Sequence, residues 1–266
     1  MARRSKSILR RLIRSLLRLL MRPRVIGLIL LIGLLSPLWM YYSHDVSRLN
    51  KEWPHVILPK EKGESADYEF KNKPPNYWVR LNQISSYAKW AVILSEDWGF
   101  YGHKGVDFDE LKKAVDESMR ERRMVRGAST ISQQVVKNVF LSSNRSIIRK
   151  VHEIILTQKM EEQVSKQRIL ETYFNIVELG PNIYGIRQAS YFYFRKHPSA
   201  LNPREAAFIA MLLPSPKRYS MSFRNRQLTR FARSRIRAIL LKLKWAKIIN
   251  EEQRQMWNGA RFSWER

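Results

Sequence analysis

Gly127-Ala128-Ser129-Thr130-Ile131-Ser132-Gln133-Gln134-Val135-Val136-Lys137-Asn138 is the stretch on which the fold turns. Thr130 followed three residues later by Gln133 is a capping box, in which each side chain satisfies a backbone N–H at a helix start. The spacing predicts a helix running to about Phe140. Thr130, Gln133, Gln134 and Lys137 then share one face. The free N–H groups and positive dipole end at its start favour an anion, and Lys137 adds a full charge further along. A polar solvent face is the plain alternative. Outward from this stretch the helical signals continue. Arg145–Gln163 repeats apolar residues at Ile148, Val151, Ile155 and Met160. Ser165 caps a helix through Val177, with Gly180 as its stop. Asn202-Pro203-x-Glu205 combines cap, proline and third-position glutamate, opening a helix that ends before Pro214. Gln227–Lys244 is amphipathic, and Tyr87–Leu94 is apolar except for Lys89. No series of alternating strands is visible, so the fold class is mainly α.

The chain has 266 residues, enough to bury a real core. It carries 49 Lys and Arg against 23 Asp and Glu, a net +26, which predicts an anionic partner. It has no cysteine. That excludes disulfides, thiolate catalysis and Cys-ligated zinc. Residues 1–24 form a basic flank with nine cations and no acid; 25–42, VIGLILLIGLLSPLWMYY, carry no charge. Eighteen helical residues span about 27 Å, close to the hydrocarbon thickness of a bilayer. Trp39, Tyr41 and Tyr42 end the run as an interfacial belt does. The expectation is an uncleaved transmembrane anchor at 25–42, N-terminus in the cytoplasm. The remaining 40 basic and 23 acidic residues give +17 outside the membrane. Nucleic acid is excluded there, and anionic phospholipid or a lipid-linked phosphate becomes the natural partner. Residues 43–84 read as an irregular stem or entry segment, and 85–266 as the main domain.

Three constellations carry chemistry. In Glu96-Asp97-Trp98-Gly99-Phe100-Tyr101-Gly102-His103-Lys104-Gly105, two carboxylates end an apolar run before glycines break it. An apolar backing from Trp98 and Phe100 would raise the Glu96 pKa and suit it to proton transfer. A solvated loop with a capping Asp is the competing reading. The second constellation is 127–138. In the third, Arg149-Lys150-Val151-His152-Glu153, Arg149 and Glu153 lie one turn apart. A surface pair of that kind is worth only about 0.3–0.5 kcal/mol; the functional reading has the cations facing phosphates. No His-x-x-x-His or similar cluster points to a transition metal.

In this order the three segments resemble the peptidoglycan glycosyltransferase (transglycosylase) family, in its monofunctional biosynthetic form. The first family motif is met at Glu96, Asp97, Phe100, His103 and Gly105. The second is met at Gly127, Ser129, Thr130, Ile131, Gln133, Gln134, Lys137 and Asn138, and the third at Arg149, Lys150 and Glu153. A fourth looks like Lys166-x-x-Ile169-Leu170-Glu171-x-Tyr173-x-Asn175, continuing to Tyr193-Phe194; a fifth runs from Glu205 to Pro216. Phe174 and Ser190 depart from the common residues. The resemblance covers about residues 85–218.

The resemblance implies a lysozyme-like glycosyltransferase domain preceded by one N-terminal transmembrane helix. It implies polymerisation of lipid II into β-1,4-linked glycan strands by inverting transfer, with release of undecaprenyl diphosphate. Glu96 takes the position of the base, and Glu153 that of a second essential carboxylate near the donor diphosphate. Asp97, Phe100, His103, Ser129, Thr130, Gln133, Gln134, Lys137, Asn138, Arg149 and Lys150 are the expected substrate-binding set. No cofactor is required by the sequence, although a divalent cation (Mg or Mn) is compatible with the donor site. The implied partners are lipid II, the growing lipid-linked glycan, the membrane and other cell-wall synthesis proteins. The implied location is the bacterial cytoplasmic (inner) membrane, catalytic domain outside. A Ser-x-x-Lys at Ser86–Lys89 and a Ser-x-Asn at Ser142–Asn144 lack the Lys-[Ser/Thr]-Gly partner of a penicillin-binding domain, so a single-domain type is expected. The alternatives are a lysozyme-like hydrolase or lytic transglycosylase acting on finished glycan, and a membrane-anchored scaffold. A hydrolase has no diphosphate to neutralise, and a scaffold needs neither glutamate.

Overall fold

The computed structural model describes residues 23–59, 66–121, 127, 129–142, 144 and 146–266, with the side chains of Arg24, Ile26, Leu28, Ile29, Leu30 and Ile32 also left aside. The basic flank expected at 1–24 therefore lies almost wholly outside the described residues. The chain divides into two compact units, one ending at His44 and one covering Asp45–Arg266.

The first unit contains a single described helix, α1 (Pro23–Tyr42). Pro37 sits inside it, and Ser36 returns a hydroxyl hydrogen bond to the Gly33 carbonyl. Among the described residues, no helix is long and apolar enough to cross a membrane. The run expected as an anchor is thus helical, while its placement in a bilayer rests on the sequence alone.

The second unit is mainly helical. A hairpin, β1 (Trp53–Ile57) and β2 (Asp67–Lys71), pairs Trp53 with Lys71 and Val56 with Tyr68 in antiparallel register. There follow α2 (Ser86–Glu96), α3 (Phe108–Glu121), α4 (Ile131–Phe140), α5 (Ile147–Gln163) and α6 (Lys166–Ile176). A second short hairpin, β3 (Glu178–Gly180) with β4 (Ile183–Tyr184), leads into α7 (Ile186–Phe194) and α8 (Pro203–Leu212). Two one-turn helices, α9 (Pro216–Tyr219) and α10 (Met221–Arg224), precede α11 (Arg230–Trp245) and α12 (Glu251–Gly259).

Side-chain caps set most helix starts. Thr130 and Gln133 form the expected capping box on α4, and Asn202 and Glu205 form one on α8. Ser146, Ser165 and Thr229 each accept a backbone N–H at the start of α5, α6 and α11. Every residue of α8 is buried, which places it at the centre of the core. It packs against α2 and α11. Phe208 of α8 meets Phe262 and Trp264, whose rings stack at 4.8 Å. Arg204 fastens the same C-terminal segment, donating from Nη1 to the carbonyls of Trp257 and Asn258. Burial of Phe208 and of Phe262 contributes about 1.5–3 kcal/mol each.

Residues 43–84 differ from the irregular stem that their prolines and lysines suggest. They hold the hairpin and a 3-10 turn at Val46–Asn50, and Val46, Leu49 and Val79 lie in the main core. One face of α6 holds them there. Arg168 donates to the carbonyls of Leu49 and Glu52, its guanidinium lying over the rings of Trp53 and Trp78. Glu171 accepts from Trp78 Nε1 and Leu81 N. The Asn175 carboxamide pairs both ways with the Val79 backbone. The helix expected from Ser165 likewise stops at Ile176 rather than at a glycine cap, since Gly180 belongs to β3.

Candidate active site

α2 delivers Glu96 from its last residue, where the chain leaves the helix through Asp97. α4 starts nearby and presents Gln134, whose Nε2 donates to Glu96 Oε2 at 3.0 Å. The Gln134 Oε1 in turn accepts from the buried Tyr173 hydroxyl at 3.4 Å. Glu96 and Gln134 line a cavity of about 610 Å³ with Ser95, Ser129, Thr130, Trp98, Arg235 and Lys242. Withdrawal from water lifts the Glu96 carboxyl above the ordinary glutamate value. The Gln134 amide and the charges of Arg235 and Lys242 pull it partly back, and Asp97 adds to the lift. The result is a carboxylate basic enough to take a proton, in a cavity that also holds cations.

Asp97 is buried, whereas Glu96 is half-buried. Its Oδ2 accepts from Ile131 N at 2.9 Å, and its Oδ1 meets His103 Nε2 at 2.8 Å. One carboxylate thus ties the loop after α2 to the start of α4. Gly105 closes that loop at φ +89, and a Cβ there would stand 2.8 Å from Thr157 Cγ2. Only glycine suits both the conformation and the space.

Glu153 forms a second centre. It is 2% exposed; Arg149 Nη1 donates to its Oε2 at 2.9 Å, and Lys150 Nζ bonds its Oε1. Lys150 also reaches Ser129 Oγ at 3.3 Å. Ser129 lines the Glu96 cavity, so it joins the two centres.

The structure therefore brings Glu96, Asp97, Ser129, Thr130 and Gln134 around one cavity, with Glu153, Arg149 and Lys150 beside it. It divides the face proposed for α4: Gln133 is buried, its amide oxygen accepting from Thr130 N in the capping box, whereas Lys137 is exposed and Asn138 half-buried. Phe100, expected to bind substrate, is instead a core residue at 0% exposure beneath Lys166, whose Nζ lies 4.4 Å from its ring centre. Trp98 is the aromatic that faces the cavity. His103 serves Asp97 in the same supporting fashion. Arg235 and Lys242 are the residues that sequence reasoning missed. Their spacing of seven on an amphipathic helix was the available signal, but it reads equally as a solvated face.

Among the described residues, no group of three or more His, Asp or Glu is placed to hold a metal ion. Both Glu153 oxygens are already bonded to cations. A divalent ion at Glu153 would have to displace one of them.

Residues 64–244 match the family model described as Transglycosylase. Over 146 residues the chain is 46% identical to a biosynthetic peptidoglycan transglycosylase from Azoarcus sp. strain BH72, covering 55% of this chain and 63% of that relative. Over 221 residues it is 36% identical to a protein of the same description from Aromatoleum aromaticum, covering 81% of this chain and 94% of the relative. A matched model over more than half the chain, with relatives of one description at 36–46% identity, carries one conclusion: the chain belongs to the transglycosylase family.

Proposed function

We propose that this protein polymerises lipid II into β-1,4-linked glycan strands. The observation that carries the reading is Glu96, its pKa raised by burial, sharing one cavity with Arg235, Lys242 and the start of α4. Glu96 takes the proton of the acceptor sugar 4-hydroxyl as that oxygen attacks the donor anomeric carbon. The bond from that carbon to the diphosphate breaks, with inversion from α to β, and undecaprenyl diphosphate leaves. A diphosphate needs its charge neutralised more than it needs a proton. Arg149, Lys150 and Lys137 do this on the donor side, with Arg235 and Lys242 contributing from α11. Glu153 holds Arg149 and Lys150 in place and gives them up in part when phosphate oxygens arrive. No metal ion is needed in this scheme.

Asp97, His103, Phe100 and Gln133 act through position, fixing the loop and helix start that carry Glu96 and Gln134. α1 crosses the cytoplasmic membrane with the basic flank inside, since its 25–42 run is uncharged and the flank carries nine cations. The catalytic unit then works on the outer side, where other cell-wall synthesis proteins act.

Incubating the full chain with purified lipid II and, separately, with finished glycan tests the reading. Long lysozyme-sensitive polymer from lipid II is the expected result. Shortening of finished glycan with no polymer from lipid II would instead identify a hydrolase or lytic enzyme.

A further inference from the structure

Residues 206–250 contain eleven Lys and Arg and no acid. All of α11 lies in this segment. Successive helical residues are rotated by about 100°. Ala232, Ile236, Ile239, Leu240 and Leu243 are buried and define the core face. Phe231, Ala238 and Trp245, seven apart, form an outward apolar line. Phe231 is 45% exposed, Trp245 68%, and Ala238 is exposed. Tyr219 stacks on Phe231 at 4.6 Å, steadying that ring at the surface. Arg230, Arg233 and Arg237, all exposed, flank the line on one side. Arg235 and Lys242, which line the Glu96 cavity, flank it on the other.

We infer that this face of α11 lies on the bilayer surface and is occupied by anionic phospholipid headgroups. Aromatic residues between two rows of cations are what an interfacial helix presents to lipid: rings at headgroup depth, guanidinium groups on phosphates. The absence of any acid across 45 residues matches a negative surface and disfavours an ordinary protein partner of mixed charge. The apolar line is narrow, so the attraction depends mainly on charge and on salt. Docked this way, α11 sets the rim of the Glu96 cavity at phosphate level, where a lipid-linked diphosphate resides. That last link rests on the function proposed above; the lipid contact does not.

The chain has no cysteine, so Ala238→Cys in the full-length protein accepts a single environment-sensitive fluorophore. The probe is vesicles of phosphatidylcholine with or without phosphatidylglycerol, carrying a lipid-attached quencher and no lipid II. The expected result is a blue-shifted label quenched from within the bilayer only when phosphatidylglycerol is present, with quenching reduced about tenfold at high salt. Replacing Arg230, Arg233 and Arg237 together by Glu should abolish it while leaving polymerisation of detergent-dispersed lipid II unchanged. A label open to aqueous iodide in both vesicle types overturns the inference, as does quenching that survives the triple replacement. A label that inserts in a protein unable to polymerise lipid II under any condition leaves this contact standing and removes the proposed reaction instead.

Discussion

The Gln134 side chain donates to Glu96 Oε2 at 3.0 Å. The amide stabilises the charged form of the carboxyl and opposes the lift that burial produces. Gln134→Leu removes the donor, so the acidic limb of the kcat/KM profile should move to higher pH. Rates on lipid II across a pH series check this, and an unmoved limb would mean that Gln134 does not govern the base. Glu96→Gln should lower polymerisation at least ~10²-fold at every pH. Its effect on stability has the opposite sense. The folded protein holds the Glu96 proton over a range where the unfolded chain has lost it, so wild type gains stability below the ordinary glutamate pKa and loses it as pH rises through the higher folded value. The Gln variant should lack that slope in urea titrations.

Lys137→Ala should lower turnover by ~10²-fold or more through lost stabilisation of the departing diphosphate. Lys137→Arg should recover part of it, because a planar fork replaces a point charge. Single-turnover rates on lipid II give the answer, and an alanine variant at the wild-type rate would return Lys137 to an ordinary solvated face.

Arg235→Ala should weaken the reaction less than Lys137→Ala, since Lys242 remains in the same cavity. The double replacement of Arg235 and Lys242 should cost more than the sum of the single ones in log rate, each cation covering for the other. Strict additivity would show that they act on separate groups.

Asp97→Ala removes the acceptor for Ile131 N and the partner of His103. The buried donor left behind should cost about 1–3 kcal/mol of folding stability. Urea midpoints measure this, and a midpoint equal to wild type would show that water replaces the carboxylate without loss.

A protein beginning at Asp45 keeps the whole second unit. It should polymerise lipid II in detergent at a rate near that of the full chain. On vesicles it should be slower, because the anchor proposed for α1 would raise the effective concentration at the surface. Equal rates on both would remove α1 from any role in membrane capture.

Local chemistry is what made the fold legible. Thr130, Ser165 and Asn202 cap helices through bonds spanning three residues, so their signals survive in the sequence. The spacing of Arg149 and Glu153 is local in the same way. α3 carries such a signal too, Asp107 accepting from Glu110 N, but its apolar residues lie among many charges, which hides the helical period. Arg235 and Lys242 reach the Glu96 cavity only because α11 packs against α2 and α8. Phe100 and Trp98 stand two residues apart in one loop, and only the packing decides which turns inward.

Arg168, Glu171 and Asn175 grip residues 49–81 chiefly by the backbone: the carbonyls of Leu49 and Glu52, the amides of Val79 and Leu81, the carbonyl of Val79. A backbone looks the same whatever side chains it bears. Replacements at exposed positions of the gripped segment, such as Leu58, leave these bonds in place, whereas Leu49 and Val79 are held by the core and Trp78 by its own bond to Glu171.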